Sequence, residues 1–308
     1  MYSIFQSDCF YSFLSGLQGF TPFAFKSVKD GQESCRIQGY IQKDGGPMKR
    51  WLSRRAIING GPALAEDITD EEVERLLKSC IKGLSGKVIY LETTNFHDYS
   101  RWRPVFERCG FQYEPHYDFI VDTSSLVIAE ENLGKSRKRD IRTSLRDGAI
   151  IVESPTQEQV VEFYLILKDL YKTRVKTPLF PIDFFLILSQ ADFSKFLLVQ
   201  YQDEIIGGTV CVFDDDTVYE WFACGKDGVY KNIFPSTLAT WSGIRFAAES
   251  GRHRFDMMGA GAPGDGGYGV RDFKAKFGGE LVEYGRFKYI CNKPLYSLGK
   301  LAVRIMKR

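Results

Sequence analysis

The tightest constraint on the fold is a run of three strand-like segments, at 196–202, 204–214 and 217–224, divided by little more than Gln202-Asp203 and Asp214-Asp215-Asp216. Connections this short cannot carry a crossover, so the three segments must pair as an antiparallel meander. Helical patterns lie on both sides. Upstream, Pro155-Thr156-Gln157-Glu158 opens a helix with Val160, Phe163, Tyr164, Leu167 and Tyr171 at helical spacing; Pro178 and Pro181 break it, and a second helix covers 182–190. Downstream, Pro235-Ser236 opens a helix that Gly251 closes, followed by a short strand at 254–258, a short basic-aromatic helix at 270–277 and a final strand. With a strand at 149–153, the second half reads strand–helix–helix–strand–strand–strand–helix–strand–helix–strand.

A chain of 308 residues is long enough for two domains of about 150 residues each. The first half supports that division. Segments 23–28 and 34–42 form a hairpin around Lys29-Asp30-Gly31-Gln32, and a strand at 55–58 ends in the turn Asn59-Gly60-Gly61-Pro62. A helix at 69–84 opens on Thr69 and three acids and buries Val73, Leu76, Leu77, Cys80 and Ile81. A strand at 88–92, a helix at 100–109 and a strand at 117–122 follow. The reading is an α/β chain with mixed (α+β) sheets, divided into 1–125 and 126–308.

Charge and cysteine content exclude several classes. The balance of 41 basic and 39 acidic residues, 41 − 39 = +2, neither demands nor forbids a polyanionic partner. Seven scattered cysteines contain no CxxC and no zinc spacing, so reduced thiols in a cytoplasmic protein and no metal site are expected. The first residues lack a basic leader region, and no apolar run approaches the ~18 residues of a membrane span. Over 294–308, Leu298, Leu301, Ala302 and Ile305 share one helical face, with Lys300, Arg304, Lys307 and Arg308 elsewhere. That tail either packs on its own domain or makes peripheral contact with an anionic membrane surface.

The most unusual composition lies in Arg254–Arg286, where eight of the 29 glycines fall between Gly259 and Gly279. Glycine is costly to order, so such a cluster marks sharp turns or a backbone that a ligand approaches closely. Gly259-Ala260-Gly261-Ala262-Pro263-Gly264 matches G-x-G-x-x-G, but Pro263 interrupts it and no long helix follows, so a dinucleotide site is disfavoured. Asp256, at the end of the preceding strand, is either a turn-capping carboxylate or a group that orients or deprotonates an amine. Tyr268 is a further donor candidate. Lys135–Arg146 carries six basic residues against Asp140 alone and no aromatic residue. It is either a solvated helix or an anion-binding wall, with Arg137 and Arg142 the phosphate candidates.

The order of elements in the second half is that of the GNAT acyltransferase fold, and the first half fits a shorter version of it. Several motifs together resemble the Fem-type (FemABX) peptidyltransferase family, which carries tandem GNAT-like domains. They are Ile57-Ile58-Asn59-Gly60-Gly61-Pro62, Lys135-Ser136-Arg137 with Asp140-Ile141-Arg142, Phe234-Pro235-Ser236 with Trp241, and Phe255-Asp256 with Gly259 and Phe273-Lys274-Ala275-Lys276-Phe277-Gly278-Gly279. The resemblance spans nearly the whole chain. It implies transfer of an activated amino acid, typically from aminoacyl-tRNA, to an amine of a peptidoglycan precursor peptide, in a cleft between the two domains. It places Lys274, with Phe273, at the position implicated in catalysis or donor binding. A fixed cation there would stabilise the oxyanion of ester or thioester aminolysis.

The remaining expectations complete this picture. Gly259, Gly261, Arg271, Lys276 and Ser236 are substrate-binding candidates beside Arg137, Arg142 and Tyr268. The chain departs from the best-known members in having no long charged antiparallel helical arm, a part linked to tRNA contact. The turn 226–236 also lacks the paired glycines with which GNAT enzymes hold CoA pyrophosphate, although the helix start at Ser236 remains able to take a phosphate. Three readings therefore stand: aminoacyl transfer from charged tRNA as co-substrate with no bound cofactor, acyl-CoA-dependent N-acylation of an amino sugar or surface-polysaccharide precursor, and a non-catalytic GNAT-like binding protein. DNA is not among the expected partners.

Overall fold

In the computed structural model, which describes residues 3–29, 31–43, 53–265 and 269–306, the chain divides into two compact units, Met1–His116 with Glu283–Arg308, and Tyr117–Val282. The first unit opens with α1 (Asp8–Ser15), whose N-cap Ser7 accepts the Phe10 N–H. Its sheet runs in the order β1 (Thr21–Lys29), β2 (Gln32–Gln42), β3 (Arg55–Gly60), β5 (Tyr90–Asn95), β14 (Arg286–Ile290), β6 (Gln112–Glu114), with β4 (Ala63–Leu64) paired to β2. Among the described residues of this sheet only β3 and β5 pair in parallel. Between them runs α2 (Asp70–Leu84), which starts on the Thr69–Glu72 capping box that the sequence predicts. Val73, Leu76, Leu77 and Cys80 of this helix are buried with Ile37, Ile58 and Leu91. α3 (Arg103–Arg108) places Phe106 flat on Phe287 of β14, with ring centroids 4.0 Å apart. Lys288 of β14 reaches Glu92 at 3.1 Å and Glu114 at 2.7 Å, tying the strand to both neighbours.

The second unit holds the sheet β13 (Glu280–Glu283), β7 (Tyr117–Asp122), β12 (Arg254–Asp256), β11 (Thr217–Gly225), β10 (Glu204–Phe213), β9 (Ser194–Tyr201), β8 (Ile150–Val152). The expected meander is β9–β10–β11. Its first turn puts both Gln202 (φ 49°) and Asp203 (φ 62°) in the left-handed region, as a two-residue primed hairpin requires. In the second turn the Asp214 carboxylate accepts the N–H groups of Asp216 and Thr217. The basic segment after β7 is a helix pair, α4 (Leu126–Asn132) and α5 (Lys135–Arg146). α6 (Gln157–Leu170) starts on a Thr156–Gln159 capping box and relaxes into one π turn, Tyr171–Val175, before α7 (Ile182–Leu188). α8 (Pro235–Glu249) lies on the sheet with Leu238, Ala239 and Ile244 in the core with Ile206, Val218 and Phe255. α9 (Gly269–Ala275) follows the glycine loop, and α10 (Lys293–Met306) returns to the first unit.

Two strands lie elsewhere than a division at 125 implies. β7 precedes that boundary yet pairs with β12 in the second sheet, and β14 follows it yet pairs with β5 and β6 in the first. Each sheet thus takes one strand from the other half of the sequence. Among the described residues no helix is long and apolar enough to cross a membrane.

Candidate functional site

β12 ends in a sharp change of backbone hand. It runs between β11, parallel, and β7, antiparallel. Met258 (φ 54°), Gly259 (φ 99°) and Gly261 (φ 81°) then turn left-handed. For Met258, which has a Cβ, that conformation costs about 1–3 kcal/mol, and the surroundings must hold it. They do so through two buried aspartates. Asp256 is 1% exposed, and its carboxylate accepts the Met258 N–H at 2.7 Å. Asp118, facing it from β7 and 5% exposed, accepts the N–H groups of Phe119 at 2.7 Å and Gly259 at 2.8 Å. The two carboxyls act on each other across the strand pair. Burial pushes both above the usual carboxylate range, and the neighbouring Asp118 charge pushes Asp256 further.

Lys274 comes back from α9 onto this turn. Its Nζ donates to the Met257 carbonyl and, at 2.8 Å, to the Gly259 carbonyl. Its charge favours the ionised forms of Asp118, Asp256 and a third buried acid, Glu220 of β11. Glu220 is 6% exposed; burial raises its pKa, while the Thr240 and Thr209 hydroxyls support its ionised form, Thr209 Oγ1 donating at 3.4 Å. The result is one ammonium beside three buried carboxyl groups where β7, β11 and β12 lie side by side.

The other candidates fall into place around this cluster or away from it. Arg271 is taken up by the glycine loop: Nε donates to the Ala260 carbonyl at 2.9 Å, Nη2 to the Ala262 carbonyl at 2.6 Å, and the guanidinium lies over Tyr117 at 4.9 Å. Arg137 is buried on α5. It donates to Thr237 Oγ1 at 3.2 Å and to the Phe273 carbonyl at 3.4 Å, and it stacks over Phe273 at 4.3 Å and Phe277 at 5.1 Å. Burial pulls its pKa down, with Asp140 at 3.5 Å opposing the shift. Arg137 therefore grips the helix that carries Lys274, and Phe273 is the surface it grips. Gly278 (φ 81°) lets the end of that helix pass α4, since a Cβ there would meet the Asn132 carbonyl oxygen at 2.1 Å. Arg142 and Lys276 are exposed, whereas the acids of the cluster are buried. Tyr268 lies outside the described residues.

Ser236 stands at the start of α8 with its N–H already engaged. The Asp227 carboxylate accepts it at 3.2 Å, putting an internal anion at the helix N-terminus. Asp118, Glu220 and Asp227 escape motif-based reading. The signal for the first two is a single acid inside an apolar strand, in Tyr117-Asp118-Phe119-Ile120-Val121 and Val218-Tyr219-Glu220-Trp221-Phe222.

Residues 189–304 match the FemAB family. No curated protein sequence matches the chain. Among solved structures, the crystal structure of FemX superposes with a TM-score of 0.72 at 15% identity, covering 96% of this chain and 94% of that one. The structure of L-PGS from Bacillus licheniformis gives 0.61 at 16% identity, with 97% and 92% covered. A tandem GNAT protein from the clavulanic acid biosynthesis pathway gives 0.52 at 8% identity, with 89% and 84% covered. At these identities the likeness is one of fold, and the fold is that of two tandem GNAT-like domains.

Proposed function

We propose that this chain, FemABX-like in its family match and in its fold, is an aminoacyl or acyl transferase that forms an amide on an amine of a peptidoglycan precursor peptide. The observation that carries the reading is the setting of Lys274. An ammonium has three N–H donors. Two are spent on the Met257 and Gly259 carbonyls, which fixes the third in direction. In the reaction, the acceptor amine nitrogen adds to the carbonyl carbon of the donor ester. The carbonyl oxygen becomes an oxyanion, and the third N–H of Lys274 stabilises it. Collapse breaks the ester C–O bond, and the departing hydroxyl takes up the proton lost by the nitrogen. A donor fixed in advance needs no reorganisation as charge develops, and one such donor is worth about 3–4 kcal/mol.

The aspartates support this cation from beneath. Asp118 and Asp256 are too buried to touch a substrate amine. The Lys274 charge favours their ionised forms, while burial, and for Asp256 the neighbouring Asp118 charge, oppose them. Their backbone contacts also hold the Met258–Gly259 turn that presents the two carbonyls. This supports an orienting role for Asp256 and leaves the substrate to assist its own deprotonation.

The donor class in this reading is aminoacyl-tRNA, and the Asp227 carboxylate at the start of α8 is the observation that favours it over acyl-CoA. The FemAB match covers residues 189–304, which include Glu220, Asp227, Asp256 and Lys274. The experiment is a transfer assay with charged tRNA or acetyl-CoA as donor and a nucleotide-linked precursor peptide as acceptor. The expected result is product with charged tRNA only, and a fall of ~100-fold or more in kcat/KM for Lys274→Ala with unchanged circular dichroism. A variant as fast as the wild type would sink the assignment of Lys274, and no product with either donor would leave a binding protein as the better reading.

A further inference from the structure

The helix α10 carries an exposed apolar edge that the transfer chemistry does not use. Its first turn is fixed. Asn292 caps it by accepting the Leu295 N–H at 3.0 Å, and Tyr296 meets Tyr90 of β5 edge to face at 5.4 Å. Beyond that anchor, Leu298 is 49% exposed and Leu301 is 54% exposed, three residues apart on one side of the helix. The side of the helix turned to its own domain carries the half-buried Leu295 and Tyr296, and these leucines lie on the other side. Lys300 instead folds over the Tyr296 ring at 5.6 Å, on the anchored side.

Charge indicates what covers this edge. From Tyr284 to Arg308 the sequence holds no Asp or Glu. Lys288 is consumed by Glu92 and Glu114, but Lys293 and Lys300 lie on the helix, and the sequence continues with Arg304, Lys307 and Arg308. Exposed leucines on an acid-free, lysine- and arginine-rich helix are the composition of a helix lying in the headgroup region of an anionic bilayer. A protein partner would need an apolar groove with acids on both rims, whereas an anionic lipid surface meets both requirements in any lateral position.

We propose that α10 docks the protein onto an anionic lipid surface, with Leu298 and Leu301 entering the headgroup boundary. The docking is independent of the transfer reading and is measured without donor or acceptor. The full chain is sedimented with vesicles of phosphatidylcholine alone and of roughly 3:1 phosphatidylcholine to phosphatidylglycerol. Partition into the anionic vesicles is expected to be at least about tenfold stronger and to fall by a similar factor at about 0.5 M salt. Leu298→Gln with Leu301→Gln is expected to lower it about tenfold, and Lys300→Glu to lower it severalfold, with melting temperatures unchanged. Equal binding to neutral vesicles, no binding to either, or binding indifferent to the leucine pair overturns the proposal. So does concentration-dependent self-association in lipid-free buffer that the double variant abolishes, because a second copy then covers the edge. Transfer to a soluble nucleotide-linked acceptor, assayed separately, is expected to be unaffected by the leucine variants. Loss of that activity in the wild type would bear on the catalytic reading alone.

Discussion

Lys274 was legible in the sequence because it sits in a short motif, Phe273-Lys274, beside a dense glycine cluster. Asp118 and Glu220 were not, because what makes each unusual is burial beside another charge, a property of strands that meet only in the sheet. Asp256 lies between these cases: its place at a strand end is visible locally, but its partner is not. The pair makes a prediction with a definite sign. Both carboxyls are raised in the folded state, chiefly by burial. An unfolded aspartate titrates near about 3.9. Between that value and the raised folded values the native chain holds more protons than the unfolded chain. The pair's contribution to stability is therefore full at low pH and is lost as pH rises through the folded range. Asp256→Asn removes one of these titrations. Urea unfolding of wild type and variant from about pH 5 to about pH 9 is expected to show the difference moving in the variant's favour as pH climbs. A difference that does not change with pH would contradict the raised titration of the pair.

Elements whose signals are local formed where the sequence placed them. The capping boxes at Thr69 and Thr156 start their helices, and the short turns after β9 and β10 make the meander. What the element signals missed was the condition of the α8 N-terminus. A helix start at the end of a strand is a ready anion site, and Ser236 was a phosphate candidate on that ground. Asp227 already places a carboxylate on the Ser236 N–H, and its charge also bears on Arg137. A pyrophosphate would have to displace this carboxylate while approaching a like charge. Asp227→Gly removes the obstacle and leaves the N–H groups open. Calorimetry is expected to show CoA binding at least about fivefold tighter in the variant than in the wild type, the effect of about 1 kcal/mol at a helix terminus. Equal affinities in the two proteins would show that Asp227 does not discriminate between donors.

At the scale of the whole molecule, the number of sheets and their mixed character followed from the order of elements, but the membership of β7 and β14 did not. Order along the chain says nothing about which sheet a strand joins when both sheets offer it an apolar neighbour. The exchange gives the two halves unequal independence. Residues 117–283 contain every strand of the second sheet, so that fragment is expected to fold alone with a cooperative thermal transition. A fragment ending at residue 125 lacks β14, hence Phe287 against Phe106 and the strand between β5 and β6. It is expected to expose its β5 edge and to show no such transition. If the shorter fragment melted cooperatively, the dependence of the first sheet on β14 would be refuted. The same exchange reverses the order of maturation during synthesis. The half translated first cannot close its sheet until residue 290 has left the ribosome. At roughly 5–20 residues per second, that leaves β5 open for some ten seconds or more after β6 is made. The half translated second already has every strand it needs by then, so the part of the protein born first is the last to be finished.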